Sequence, residues 1–387
     1  MGNKKRRRLG LDPILLGIIL LLTFFGILIL ASVSASFSLL TFGNTYYFFN
    51  HQILLGLLPG FLAAAFIILF VPAGLIKRLS LPAILFTLVL LVAVFLPVIG
   101  STEGANRWIF VGPLSFQPSE LLKLTFILYV AALLSNQMAK KKESGKRAWQ
   151  FLLKGKEALI PFMLITGVVS FLLLAQPDLS TLGVIALTGV FMYFAAATPL
   201  WHTPLLIVGG GAAAFLLIKL APYRFSRLAV FLDPSLDPLG QGYQIKQALI
   251  GIGSGGLTGV GLGLSFQKYG FLPEPISDSI FAIIAEELGF LGAVFLILLF
   301  LAFAWRSFIL ARNIQDPFSK IAVIGIASWI TIQAFVNMAA ITGIMPLTGI
   351  PLPFVSYGGS ALAVELVAMG ILLKLTAEQK SSTMRTS

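Results

Sequence analysis

Four of the fifteen acidic residues in this chain, Glu274, Asp278, Glu286 and Glu287, lie within fourteen positions of one another in "FLPEPISDSIFAIIAEELG". Carboxylates beside two prolines and a helix start suggest acid–base chemistry. A carboxylate at a helix N-terminus is held ionised by the helix dipole. An ionised, fixed carboxylate is what a general base requires. Asp278 occupies that place, either as a base or as a plain cap of the helix that follows. Glu286 lies eight residues on, about 12 Å deeper by helical rise. Glu286 and Glu287 are expected to form a polar wall beneath Asp278, with Glu274 a part of the loop itself.

Other charges interrupt apolar surroundings. In "QPSELLK", Glu120 and Lys123 stand at i, i+3 on one helix face. They form either a self-neutralising structural pair or the charged floor of a cavity. Arg224 and Arg227, in "PYRFSRLAVFLDP", suit phosphate or pyrophosphate by their planar, permanently charged forks, or are ordinary solvated loop charges. Asp178 and Glu365 also fall within or at the edge of apolar stretches, where charge is costly unless paired or functional.

The elements that carry these residues are membrane helices. The chain of 387 residues is 58% hydrophobic and 11% charged, with a mean hydropathy of +0.96. Repeated apolar runs of about 18 or more residues mark spanning helices. The expected fold is all-α and integral to the membrane, with about ten spans near 13–34, 51–71, 80–99, 119–137, 158–175, 180–197, 203–220, 279–304, 320–342 and 360–376. The chain reads as one polytopic domain, 1–387, with a basic N-terminus at 1–12, a large extracytoplasmic loop at 221–278 and a tail at 377–387. The first apolar stretch exceeds a signal-peptide core and reads as an uncleaved span. With the N-terminus in the cytoplasm, inside segments hold 20 of the 27 Lys and Arg residues, so the positive-inside rule places both termini there. The net charge of +12 thus serves topology and anionic lipid headgroups, and nucleic acid is not an expected partner. Without cysteine, disulfides and thiolate chemistry are excluded.

Three segments on the loop side carry more than connection, one of them "STEGANRWIFVGPLSFQPSE", which joins the third and fourth spans. Within 221–278, "GQGYQIKQALIGIGSGG" sets Ile245, Ala248, Leu249 and Ile252 opposite Gln241, Gln244, Lys246 and Gln247, an amphipathic helix suited to the membrane surface. The segment "TGIMPLTGIPLPFVSYGGS" is too rich in Pro and Gly for a helix yet largely apolar, so it is expected to re-enter the protein and line a cavity. Gly251, Gly253 and Gly256 satisfy GxGxxG, but no strand precedes them and no suitably placed acid follows, so dinucleotide binding is rejected. In the ninth span, Gln333 and Asn337 at i, i+4 suit either a partner helix or interior packing.

Four motifs in order, "GANRWI…QPSELLK", "DPLGQGYQIKQALIGIGSGGLTGVGLG", "QKYGFLPEPISDSIFAIIAEELG" and "TGIMPLTGIPLPFVSYGGSAL", resemble the SEDS family of membrane peptidoglycan glycosyltransferases. "GYQ…QALIGIGSGG", "GVGLG…QKYGFLPE" and "IAEELG" favour its division-associated FtsW branch over the elongation-associated RodA branch. The resemblance implies polymerisation of lipid II into β-1,4 glycan strands on the outer face of a bacterial cytoplasmic membrane. It implies Asp278 as the essential aspartate and Arg107, Trp108, Glu120, Lys123, Arg224 and Arg227 as substrate-site residues. Lys268, Glu286 and Glu287 are added on the residues' own chemistry. The implied partners are lipid II, undecaprenyl-linked glycan, membrane lipid, a class B penicillin-binding protein and divisome or elongasome proteins. No cofactor is certain; a divalent cation such as magnesium or manganese could accompany the pyrophosphate, although no metal-ligand cluster is visible. Where the family commonly has a His-Thr-Asp triplet, this chain has Ile276-Ser277-Asp278, so a histidine relay is in doubt. The competing readings are a lipid II flippase and a non-catalytic scaffold for a transpeptidase.

Overall fold

The structure is a computed structural model that describes residues 10–96, 107–111, 114–144, 156–196 and 222–386, together with 198, 202, 204, 208–212 and 219. Most of the expected seventh span, 203–220, the extreme N-terminus and the middle of the basic 140–156 stretch lie outside the described residues.

Helix α1 (Pro13–Phe42) begins where Asp12 accepts the Leu15 amide at 3.0 Å and Pro13 needs no partner for a missing N–H. Gly43, at φ 66°, ends it. Helix α2 (Tyr47–Gln52) runs through a π turn (Ile53–Leu57) into α3 (Leu58–Phe70), and α4 (Ala73–Ala93) follows. A small antiparallel hairpin, β1 (Ile109–Val111) and β2 (Leu114–Phe116), pairs Ile109 with Phe116. It precedes α5 (Pro118–Ser144), α6 (Lys156–Ala175) and α7 (Leu179–Ala195). After α8 (Pro222–Leu232) and α9 (Gln241–Ser254) come the long helices α10 (Ile280–Arg312), α11 (Pro317–Ile341) and α12 (Gly359–Thr386). Seven helices among the described residues are long and apolar enough to cross a membrane, with α6 and α7 contributing shorter apolar stretches. The chain is a multi-pass, all-α membrane protein. The spans differ from the expected bounds mainly at their ends: α1 extends eight residues past 34, and α4 starts at Ala73 rather than 80. Local hydrogen bonding, not hydropathy, sets where a helix stops.

Helices α5, α11 and α12 form the buried centre, whereas α1, α3 and α4 turn Phe24, Phe61, Phe66 and Phe86 outward. Small residues let backbones approach closely where α3 meets α12. A methyl group at Gly60 would lie 2.8 Å from the Ala363 Cα, and one at Gly370 would lie 2.7 Å from the Ala64 Cα.

Helix α10 is not continuous, contrary to the single span expected from hydropathy. Gly289, at φ 68° and ψ −167°, breaks it. The backbone groups freed by the break are taken up by the glycine-rich segment after α9. The amides of Val260 and Gly261 donate to the carbonyls of Glu286 and Glu287, each at 3.0 Å. The amides of Phe290 and Leu291 donate to Gly256 and Leu257 at 2.9 and 3.1 Å. Such a graft supplies partners to the Glu286 and Glu287 carbonyls and to the Phe290 and Leu291 amides, as a break in a membrane helix requires. A side chain at Gly259 (φ 84°) would overlap the Glu287 carbonyl. Gly259→Ala is therefore expected to destabilise the protein by more than ~2 kcal/mol. Gly253→Ala, with open space around it in α9, is expected to be neutral or slightly stabilising. Thermal unfolding of both variants in one detergent checks the contrast.

Candidate functional site

Asp278 sits immediately before α10, at the end of the bundle that carries 222–279. The expected helix-cap role is not what its side chain does. Ser279 is the N-cap residue, without a side-chain cap bond, whereas Asp178 and Asp316 do cap their helices. The Asp278 Oδ2 receives only a long contact of 3.5 Å from the Gln244 amide, and Oδ1 accepts no hydrogen bond. Burial, then the nearby charge of Glu274, pushes the Asp278 carboxyl up to about 6, with Gln244 and Ser277 offsetting part of the rise. A carboxylate with an unpartnered oxygen, held up toward neutrality by burial, fits a general base.

The backbone around Asp278 is held much more firmly than its side chain. Asn337 of α11 donates to the Asp278 carbonyl at 2.8 Å and to Ile350 O at 2.7 Å. Ser356 donates to Ser277 O, and the Tyr357 amide donates to Ile276 O at 2.8 Å. Gln52 reaches the same segment, accepting from Gly358 N at 2.9 Å. His51 meets the Tyr357 hydroxyl at 2.9 Å, so a histidine far away in sequence joins this region from α2. Residues 343–358 do re-enter the protein without helix, as expected, and Phe354 at φ 64° is pinned by Glu365 accepting its amide at 2.8 Å. Of the two readings of Gln333 and Asn337, a partner helix or interior packing, their contacts fit the second. Both are buried, and the Gln333 amide donates to Pro351 O at 2.9 Å while Asn337 takes the carbonyl before it.

Glu120 and Lys123 pair at 2.8 Å, and Lys123 also donates to Gln333 Oε1 at 2.8 Å beneath the Trp329 ring. Both are nearly fully buried. Their surroundings are those of an interior polar network with Glu365, rather than an open floor.

The expected wall and cation are also placed differently. Glu286 accepts from the Ser265 hydroxyl and from the amides of Phe266 (3.0 Å) and Gln267 (3.4 Å). Glu287 pairs with Lys268 at 2.9 Å and accepts from Ser32 of α1 at 2.8 Å. Lys268 and Glu287 are 2% and 1% exposed, so Lys268 is spent on an internal partner and the two glutamates fasten the loop to α10 and α1. Charges left unpaired in such a place would be expelled.

Arg107 is half-buried and donates to the Gln176 and Pro177 carbonyls at 3.0 and 2.5 Å, with Trp108 half-buried beside it. Arg227 is half-buried on α8, and the Arg224 side chain lies outside the described residues. Helix α9 turns Gly242, Ile245, Ala248 and Gly251 inward and leaves Leu249 and Ile250 exposed, so its apolar face is partly packed on protein instead of lying wholly on the surface. An apolar groove of about 880 Å³ runs between α4 and α6, lined by Leu88, Val92, Met163, Val168 and Phe171 among others. Among the described residues no three His, Asp or Glu side chains gather to hold a metal ion.

Residues missed in the sequence are Ser356, Tyr357, His51 and Gln52. The "HQ" pair and the "SY" pair carry no spacing signal, because they meet across about three hundred positions. Gln244 lay on the polar face already noted, although nothing marked its reach toward Asp278.

The family model of the FtsW/RodA/SpoVE cell cycle proteins matches residues 13–381. The chain is 37% identical over 366 residues to stage V sporulation protein E of Bacillus subtilis (strain 168), covering 94% of this chain and 96% of that one. It is 37% identical over 382 residues to a probable peptidoglycan glycosyltransferase FtsW of Geobacter sp. (strain M18), covering 97% and 100%. Among solved structures, a chain from a peptidoglycan synthase complex that coordinates polymerisation and crosslinking superposes with a TM-score of 0.75 at 29% identity, covering 96% and 99%. The rod shape determining protein RodA of Thermus thermophilus gives 0.66 at 28% identity, covering 96% and 98%.

Proposed function

This chain belongs to the FtsW/RodA/SpoVE family of cell cycle proteins, and we propose from that membership and from Asp278 that it is a peptidoglycan glycosyltransferase polymerising lipid II. The carrying observation is the partly buried carboxylate of Asp278, one oxygen of which is buried without a hydrogen-bond partner, raised toward neutrality on a backbone fixed by Asn337, Ser356 and Tyr357.

In the proposed reaction Asp278 takes the proton from the 4-hydroxyl of the acceptor N-acetylglucosamine. That oxygen attacks the anomeric carbon of the donor N-acetylmuramic acid from the face opposite the leaving group. The bond to undecaprenyl pyrophosphate breaks with its electron pair, and an α-linked donor becomes a β-1,4 glycan. The reaction is therefore inverting. A departing pyrophosphate needs cationic stabilisation, for which Arg227 and Arg224 on α8 are the candidates, Lys268 being engaged elsewhere. The apolar groove between α4 and α6 suits a polyprenyl tail. The site faces the outside of the cytoplasmic membrane with both termini inside, and a class B transpeptidase is the fitting partner, as the structural neighbour's complex suggests. A non-catalytic scaffold would give no role to a carboxylate in this state, and a flippase would form no glycan strands from lipid II.

Purified protein in liposomes, supplied with lipid II and a class B transpeptidase, is expected to produce glycan strands. Their absence with a competent partner would overturn the proposal. The pH profile sharpens the test. A base must be ionised, so kcat should fall about tenfold per unit as pH drops below about 6, where Asp278 becomes protonated, and level off above it. A rate unchanged down to pH 5 would remove Asp278 from the role.

A further inference from the structure

Asn337 is 1% exposed, inside the bundle, and its carboxamide is spent in an unusual way. The nitrogen donates to two backbone carbonyls belonging to separate non-helical segments, that of Asp278 at 2.8 Å and that of Ile350 at 2.7 Å. Because both neighbours are acceptors, the atom facing them has to be the NH₂, which fixes the amide's orientation. Its Oδ1 consequently points elsewhere and accepts nothing. Packing alone does not explain this arrangement, since an apolar side chain of similar size would fill the space without burying an unpaired acceptor. The two segments it joins are those that flank the Asp278 carboxylate: a methyl group at Gly349, next to Ile350, would lie 3.9 Å from Asp278 Oδ2.

We propose that Asn337 is the positioning residue of Asp278, tying the carbonyl of the base to the re-entrant backbone at Ile350 so that the carboxylate is held at a fixed place against that wall. The proposal rests on the reading of Asp278 as the base. Neither Asp278 carboxylate oxygen has a close partner of its own, so the aim of this side chain is set through its main chain. Helix α11, buried at the centre of the bundle, supplies a rigid mount. Displacement of a reacting group by about 1 Å can cost 10²-fold in rate.

The test uses the full chain with Asn337→Leu, the milder Asn337→Ser, and Ser328→Ala, which alters another buried polar side chain of α11. Two readouts are taken at matched folding. The first is glycan synthesis from lipid II; the second is labelling of Asp278 by a water-soluble carbodiimide with an amine, followed by mass spectrometry against pH. The expected result for Asn337→Leu is a kcat lower by about 10²-fold with KM for lipid II within about threefold. Its labelling profile should be displaced from that of the parent, while Ser328→Ala matches the parent in both. A parental kcat and labelling profile would overturn the proposal, as would a raised KM at unchanged kcat. If the leucine variant does not fold, Asn337→Ser is judged by the same criteria. If the parent makes no glycan, the glycosyltransferase reading fails by itself. Labelling then decides alone: a displaced profile upholds Asn337 as the anchor of Asp278, and a parental one rejects it.

Discussion

Asp278→Asn is expected to abolish glycan synthesis while leaving the protein folded. Asparagine is nearly isosteric and cannot accept a proton at neutral pH, so the substitution removes the base and little else. General-base assistance is typically worth ~10²–10⁴-fold, which in a lipid II polymerisation assay separates long strands from no detectable product. Folding is expected to survive because the native carboxylate is held only weakly, by a long hydrogen bond from Gln244 and by the neighbouring Ser277, and burial already disfavours its charged form. The variant should accordingly melt at or slightly above the parent temperature. Polymerisation by the variant at the parental rate would transfer the base role to another acid. A variant that fails to fold would show that Asp278 is structural.

Lys268→Met should have the opposite signature, a large loss of stability. The substitution leaves the Glu287 carboxyl without its ion-pair partner in a nearly sealed site, with Ser32 its remaining donor. Removing one partner of a buried ion pair typically costs ~3–5 kcal/mol, whereas replacing both is often neutral. The double variant Lys268→Met/Glu287→Gln should thus recover most of the melting temperature lost by the single one. The shortfall from additivity in this cycle measures the coupling between the two side chains. Were Lys268 instead a cation for pyrophosphate, the single variant would keep its melting temperature and lose turnover.

The fold was largely legible in the sequence because spanning helices are written as long apolar runs. Asp278 was legible too, since a carboxylate in such a run is conspicuous. What hydropathy could not reveal was how charges are paired. Lys268 and Glu287 stand nineteen residues apart, and Ser32 is 255 residues from Glu287, so no local period links them. Glu286 and Glu287 looked like a wall around substrate, yet a buried carboxylate meets its needs from any donor the fold brings near, here the amides of Phe266 and Gln267. The polar pair Gln333 and Asn337 was visible, but its partners are main-chain carbonyls, which no side-chain pattern announces. The break at Gly289 was hidden for a related reason. A glycine within an apolar run leaves the hydropathy unchanged, and its demand for a left-handed backbone appears only when the segment 256–261 is laid against it.

That graft also dictates an order of assembly. The four hydrogen bonds across Gly289 join positions about thirty residues apart, so they cannot form as α10 first enters the bilayer. An unbroken helix would then satisfy its own amides and carbonyls. Breaking it at Gly289 becomes affordable only once the glycine-rich strand has returned to replace those bonds. Closing so long a loop is slower than local helix formation. The α10 helix is therefore expected to form straight and to bend at Gly289 only when the segment 256–261 docks against it.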